Sequence, residues 1–261
     1  MGRKQKQMRM IAPIRAIVFD VGGTLEDVHY DDAIRLDAAR GLRALMIERD
    51  LDPGMTASEL HDVIRLGLDA YQRLRESANV EIPPERVWID YVFAGRRLPA
   101  DRLTEAAEDL MFYYENHAFK RTMKAEAPAA IAALHRAGFR LAIISNVMSR
   151  TLMPRNLDAY GLTRYFDPII TSAGMGIRKP HPRIFADTAR QMHLAPAVCA
   201  YVGDTISRDV AGAQRAGYGM TIQIKSFLTS RSDRDSDTER PDAVVQNLNE
   251  IGPLIAALNR T

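Results

Sequence analysis

The sequence predicts an α/β fold: a doubly wound parallel sheet interrupted by an all-helical insertion. Three observations lead there. Five short runs rich in Ile, Val and Ala are each followed by small or polar residues, as buried parallel strands are. Amphipathic stretches alternate with the later runs, which is the β-α-β rhythm of a parallel sheet. About 120 residues separate the first run from the second, far more than one crossover needs.

The elements follow in order. The first strand is expected at Ala16 to Phe19 and the second at Leu141 to Ile144. The others are expected at Pro168 to Thr171, Cys199 to Val202 and Met220 to Ile224. Between them, Ala127 to Ala137, Pro182 to Met192 and Asp209 to Ala216 carry helical apolar stripes. The first and last of these stop at Gly138 and Gly217, residues suited to a helix C-terminus. The tail from Asp242 to Leu258 reads as a last short strand and helix. In the long gap, Asp31 to Arg49, Ala57 to Ser77, Pro84 to Ala94 and Thr104 to Asn116 are amphipathic, punctuated by Pro53-Gly54, Pro83-Pro84 and Pro99. The expected organisation is a disordered basic tail (1–12), a Rossmann-like core (13–27 and 119–261) and a helical cap (28–118). Ser226 to Arg240 is polar and charged and is expected to be a mobile loop.

Composition narrows the function classes. The 261 residues are 46% hydrophobic, enough for a sizeable core. Thirty-five Lys and Arg against 33 Asp and Glu leave a charge of +2, which carries no nucleic-acid signal. No segment has the roughly 18 consecutive apolar residues of a membrane span, and the basic opening from Met1 to Arg9 lacks the apolar run of a signal peptide. Cys199 is the single cysteine and lies in an apolar run, so no disulfide framework exists. A cytoplasmic protein, monomer or homodimer, with neither nucleic acid nor membrane as partner, is the expectation.

In an open parallel sheet, ligands bind beyond the carboxyl ends of the strands. The first strand ends in Asp20-Val21-Gly22-Gly23-Thr24-Leu25, and the second in Ser145-Asn146. After the third come Arg178-Lys179-Pro180. The fourth ends in Gly203-Asp204-Thr205, with Asp209 five residues beyond Asp204. Taken alone, Asp20 or Asp209 would serve equally as a helix cap, Lys179 as a solvated residue and Ser145-Asn146 as a turn. Carboxylates, a hydroxyl and an ammonium brought to one edge suit a magnesium ion and a phosphoryl group.

These four motifs, in this order and spacing, resemble the haloacid dehalogenase superfamily over nearly the whole chain. The resemblance implies a phosphatase-like hydrolase of a small phosphorylated substrate, with Mg2+ as cofactor. By position it implies that Asp20 is the nucleophile, forming an aspartyl-phosphate, and also a metal ligand. Ser145 would bind the phosphoryl group, with Asn146 beside it, and Lys179 would balance its charge. Gly22 through its carbonyl, Asp204 and Asp209 would complete the metal site. Gly23 and Thr24 would offer backbone amides to phosphate.

One position departs from the pattern. Phosphatases of the family carry a second Asp, a general acid and base, where this chain has Gly22. Such proton transfer is typically worth about 10²–10⁴-fold. Three explanations stand open: Glu26, Asp27 or His29 substitutes, the substrate has a leaving group needing little protonation, or the chain is a silent phospho-ligand-binding module. Phosphonate hydrolysis would require a cap lysine, and none occurs between Lys6 and Lys120. Haloacid dehalogenation, which needs no metal, is disfavoured by the Asp204 and Asp209 pair. Within the cap, Tyr30, Arg35, His61, Arg65, Tyr71, Trp88 and Tyr91 are candidates to meet substrate, each with core packing or a solvated face as its ordinary alternative.

Overall fold

The computed structural model describes residues 12–226 and 239–260; most of the basic tail and residues 227–238 of the expected loop lie outside them. Strand β1 (Ala16–Phe19) leads into the turn that holds Asp20. Strand β2 (Glu26–His29) then carries the chain out of the core, and β3 (Lys120–Met123) brings it back. These two short strands form an antiparallel ribbon, with Val28 opposite Arg121 and Glu26 opposite Met123.

Between them lie four helices: α1 (Asp32–Glu48), α2 (Ala57–Ala78), α3 (Pro84–Val87) and α4 (Ala100–His117). Thr56 opens α2 with a reciprocal capping box to Glu59. The expected helix from Pro84 to Ala94 is shorter than its periodicity suggested. After α3 the backbone widens into a π-type turn (Trp88–Val92), closed by Phe93 N–H donating to the Trp88 carbonyl at 2.8 Å. The insertion has its own apolar core, with Leu42, Met46, Leu60, Ile64, Tyr71, Trp88, Leu110 and Met111 at its centre.

The core continues with helix α5 (Ala127–Arg136), strand β4 (Arg140–Ser145), helix α6 (Leu152–Ala159) and strand β5 (Phe166–Thr171). Strands β6 (Cys199–Gly203), β7 (Met220–Ile224) and β8 (Ala243–Val245) complete a six-stranded sheet of order β5-β4-β1-β6-β7-β8. Every pairing in it is parallel. Alternation along β1 makes the sheet two-faced. Ile17 and Phe19 pack with α5, α6 and the C-terminal helix (Ile251–Leu258). Ala16 and Val18 face Ile184, Phe185 and Ala213, carried by the helices Pro182–Gln191 and Ala211–Arg215. Burial on both faces is why these strands read as continuous apolar runs.

The topology puts β1 at the centre, flanked by β4 and β6, with Phe19 level with Ile143 and Val202. The strand ends that follow therefore bring Asp20, Ser145 and Asp204 to one edge. Two contacts hold the insertion over that edge. The chain after α2 pairs with the segment leading to Lys179: Glu81 N–H donates to the Gly176 carbonyl, and Arg178 N–H to the Asn79 carbonyl, each at 3.1 Å. On α4, Glu115 and Glu108 accept backbone N–H groups of residues 148–151. No helix among the described residues is long and apolar enough to cross a membrane.

Candidate active site

Lys179 organises the site. Its Nζ lies 2.8 Å from Asp20 Oδ1 and 2.7 Å from Asp209 Oδ1, and donates to the Tyr201 hydroxyl at 3.0 Å. The side chain is only 3% exposed, so an unpaired ammonium there would be costly, and two carboxylates compensate it. Asn146 fixes its backbone: the amide Nδ2 donates to the Lys179 carbonyl at 3.0 Å, and Lys179 N–H donates to Oδ1 at 2.9 Å. Asp209 is held on its other side by the Thr205 N–H at 3.0 Å and the Thr205 hydroxyl at 2.7 Å. It lies inside a wide helical turn (Ile206–Val210) rather than at a helix start. Asp204 Oδ2 accepts from the Ser226 hydroxyl at 2.7 Å.

Asp20, Asp204 and Asp209 each offer a carboxylate oxygen within 4.8 Å of the others'. Two glycines permit this crowding. A Cβ on Gly203 would stand 2.4 Å from Asp209 Cγ, and one on Gly23 would stand 2.5 Å from Asp204 Oδ2. Gly23 also holds φ at +85°, where other residues are strained.

The electrostatics follow from burial. Burial raises Asp20, partly offset by Lys179, and the charge of Asp209 raises it further. Burial would raise Asp209 as well, but Lys179 and Thr205 outweigh it and hold this carboxyl below the usual range. At Asp204, burial, then the charges of Asp209 and Asp20, push the carboxyl up to about 7. Burial would lower Lys179, yet the two carboxylates raise it and keep it charged. Three carboxylates share the Lys179 ammonium, which contacts two of them, and the more weakly acting Arg208 charge, so the cluster stays net negative. A hard divalent cation with oxygen ligands fits that donor set.

The site opens into a cavity of about 420 Å³ between core and insertion. Asp20, Gly22, Ser145, Asn146 and Lys179 all line it, and from the insertion Tyr30, Arg35 and Arg65 do too. Of the other candidates on the insertion, Tyr71 and Trp88 are core residues, while His61 and Tyr91 are not on the cavity wall.

Gly23 and Thr24 need correction as amide donors to phosphate. Gly23 N–H donates to the Glu26 carbonyl at 2.7 Å and Thr24 N–H to the Val21 carbonyl at 3.1 Å. The turn engages both amides, and neither residue lines the cavity. The candidate proton donors are also placed elsewhere. Asp27 and His29 occupy the exposed face of the ribbon, and Glu26 is buried with both oxygens engaged, by Arg121 and Tyr160 at 2.9 Å each.

The cavity wall adds residues that sequence reasoning missed, above all Arg121, Arg178 and Glu115. Arg121 lies in a short charged segment whose pattern marks it as ordinary surface, whereas Arg178 adjoins Lys179 in the motif after the third strand, and that adjacency is the signal that could have found it. Burial pushes the Glu115 carboxyl up to about 7, against the N–H bonds from Met148 and Ser149.

Residues 14–217 match the profile of the haloacid dehalogenase-like hydrolases. The chain belongs to this family. It is therefore a hydrolase on the α/β fold of that family, and its relatives agree. It is 23% identical to a glyceraldehyde 3-phosphate phosphatase of Methanopyrus kandleri over 94% of this chain and 98% of that one. It is 28% identical to a phosphoglycolate phosphatase of Vibrio vulnificus over 80% and 84%. Among solved structures, a 2-haloacid dehalogenase from Pseudomonas syringae superposes with a TM-score of 0.62 at 23% identity, covering 94% of this chain and 98% of that one. A phosphatase of the family from Thermococcus onnurineus gives 0.60 at 20%, covering 93% and 98%. At these identities the structural likeness speaks for the fold.

Proposed function

We propose that this hydrolase is a magnesium-dependent phosphatase of a small phosphorylated metabolite, with Asp20 as nucleophile. The observation that carries the reading is the buried Asp20–Lys179–Asp209 array opening onto the cavity beside Ser145. Asp20 would attack phosphorus in line with the departing oxygen, forming an aspartyl-phosphate that water then hydrolyses. Lys179, held charged by its two carboxylates, would neutralise phosphoryl oxygens. Ser145 would hydrogen-bond them, and Asn146 would keep Lys179 in place. Asp20, Asp204, Asp209 and the Gly22 carbonyl would hold the metal, with Asp209 acting through water because Lys179 and Thr205 already engage its oxygens. Magnesium when bound would supply charge neutralisation and orientation of the phosphoryl group. The relatives named as phosphatases support this chemistry, as does the acidic trio, which metal-free dehalogenation would not need. In the same reading, residues 28–118 act as a lid on the core formed by 13–27 and 119–261, excluding water from the cavity.

An aryl phosphate tests the reading, because its leaving group barely needs an acid. Magnesium-dependent phosphate release is expected from wild type and lost in Asp20→Asn. Release that survives Asp20→Asn would refute the mechanism. Phosphate binding without release would point to a silent module instead, the reading that the missing carboxylate at Gly22 favours.

A further inference from the structure

Gly22 is faced by a valine and an arginine from the two-stranded ribbon. A Cβ built on Gly22 would meet Val28 Cγ2 at 3.6 Å and Arg121 Nη1 at 3.8 Å, both ordinary contacts. A side chain at position 22 would thus start out alongside the Arg121 guanidinium, which lines the cavity together with Asp20. Arg121 is held firmly. Nη1 donates to Glu26 Oε2 at 2.9 Å, and the Tyr160 hydroxyl donates to Glu26 Oε1 at 2.9 Å. The Phe119 ring lies 5.4 Å from the guanidinium carbon. Glu26 is 0% exposed, and Arg121 Nε is buried without a hydrogen-bond partner. A guanidinium keeps its proton at any working pH, so it cannot act as general acid, but it can donate hydrogen bonds to a developing anion.

We propose that Arg121 stands at the leaving-group position, and that the substrate is accordingly a phosphoric anhydride, acyl phosphate or phosphoanhydride, whose leaving group departs as an anion. The proposal rests on the phosphatase reading and names its substrate class. The steps balance without an external acid. A carboxylate oxygen of Asp20 bonds to phosphorus, the bond from phosphorus to the bridging oxygen breaks, and its electron pair leaves on a carboxylate or phosphate. Water then attacks the aspartyl-phosphate, the Asp20 carboxylate is regenerated, and both protons of the water leave on inorganic phosphate. An alkoxide leaving group would instead require a proton. None of the three carboxyl or imidazole groups after the motif supplies it: Glu26 is committed to Arg121 and Tyr160, and Asp27 and His29 face outward. Other proton-bearing groups on this wall are Asp69, Tyr30, Tyr114 and Glu115; both oxygens of Glu115 accept the Met148 N–H, and Oε2 also the Ser149 N–H.

The test is a leaving-group series on the full chain with magnesium: acetyl phosphate, inorganic pyrophosphate and glycerol phosphate. Wild type should show kcat/KM for one of the anhydrides at least about 10³-fold above the alkyl ester, general acid help being worth about 10²–10⁴-fold. Which anhydride is preferred distinguishes a carboxylate from a phosphate leaving group. In Gly22→Asp the preference for the anhydride over the alkyl ester, read as the ratio of their kcat/KM values, should fall about 10²-fold, since only the poor leaving group gains from an acid. Arg121→Gln combined with Glu26→Gln removes both charges together, so neither is left buried alone. It should slow the preferred anhydride about 10²-fold, as losing an oxyanion donor does. Glycerol phosphate turned over within about tenfold of the preferred anhydride would overturn the proposal. So would alkyl turnover abolished by Glu115→Gln, Asp69→Asn, Tyr30→Phe or Tyr114→Phe, or an anhydride rate indifferent to the double change. If turnover is Asp20-dependent, those results sink this proposal alone; turnover insensitive to Asp20→Asn removes the phosphatase reading and this proposal with it.

Discussion

Replacing Glu115 by Gln should alter how stability depends on pH. Glu115 sits near the end of α4, and its oxygens accept the Met148 N–H at 2.9 and 3.0 Å and the Ser149 N–H at 2.7 Å. It thereby ties the insertion to the chain just beyond Ser145. Burial raises it from an ordinary 4.5 to about 7. Below pH 4.5 the group is protonated in both folded and unfolded chains, and its burial carries no charge penalty. As pH rises towards 7, the unfolded chain releases the proton while the folded one retains it. Folding stability therefore falls across that window and levels off above it. At about 1.4 kcal/mol per pH unit, the loss comes to about 3 kcal/mol. Gln cannot titrate and lacks this component, although its NH2 facing backbone donors costs a pH-independent amount of about 1–3 kcal/mol. Urea denaturation of both proteins from pH 4.5 to 8 measures the difference, in which the other titrating groups cancel. The variant should gain on wild type by about 3 kcal/mol as pH rises. A flat difference, or one of opposite slope, would refute the account of Glu115 as a carboxylate strained by burial.

Other expectations follow from the same contacts. Arg121→Ala leaves the Glu26 charge buried with only Tyr160 beside it and should cost about 3–5 kcal/mol in urea denaturation; combining Arg121→Gln with Glu26→Gln should recover at least half. Gly23→Ala must shift either a backbone at φ +85° or Asp204. It should lower stability by about 1–3 kcal/mol and weaken magnesium binding in calorimetry; unchanged magnesium affinity would contradict the crowding at Asp204. Trp88, the single tryptophan, is buried in the insertion core, with its indole N–H donating to the Ala107 carbonyl at 3.0 Å. Its fluorescence should follow the same urea transition as far-UV circular dichroism, because backbone pairing at 79–81 and the Glu108 and Glu115 contacts join the insertion to the core. An earlier fluorescence transition would show that these contacts do not couple them.

The central sheet was legible because parallel strands buried on both faces leave uninterrupted apolar runs. β1 and β7 begin and end where those runs do, at Ala16–Phe19 and Met220–Ile224. Asp20, Ser145 and Asp204 were legible for a related reason: strand order brings the ends of β1, β4 and β6 together, and each side chain sits at or just beyond the end of its strand. The ribbon was not. β2 and β3 are four residues each, half exposed and charged, and they pair across the whole insertion, so neither periodicity nor composition marks them. Read as a strand, Glu26 to His29 would have shown Glu26 and Val28 inside and Asp27 and His29 outside, removing two candidate acids at once. Arg121 was hidden for the same reason, since only its pairing opposite Val28 brings it to Gly22. Gly23 and Thr24 misled because a tight turn consumes the amides that an open loop would offer.

The ribbon has a consequence for how this chain can vary. His29 and Lys120 are cross-strand neighbours, so the polypeptide leaves and re-enters at one place. Lengthening or replacing what lies between changes the closure entropy only slowly with length and leaves the register of the six-stranded sheet untouched. Arg121, however, travels with the return strand rather than with the helices. The helices can thus diverge and reshape the chamber wherever they do not carry the 79–81, Glu108 and Glu115 contacts to the core, whereas the guanidinium beside Gly22 is inherited with the stem and Asp20 with the core.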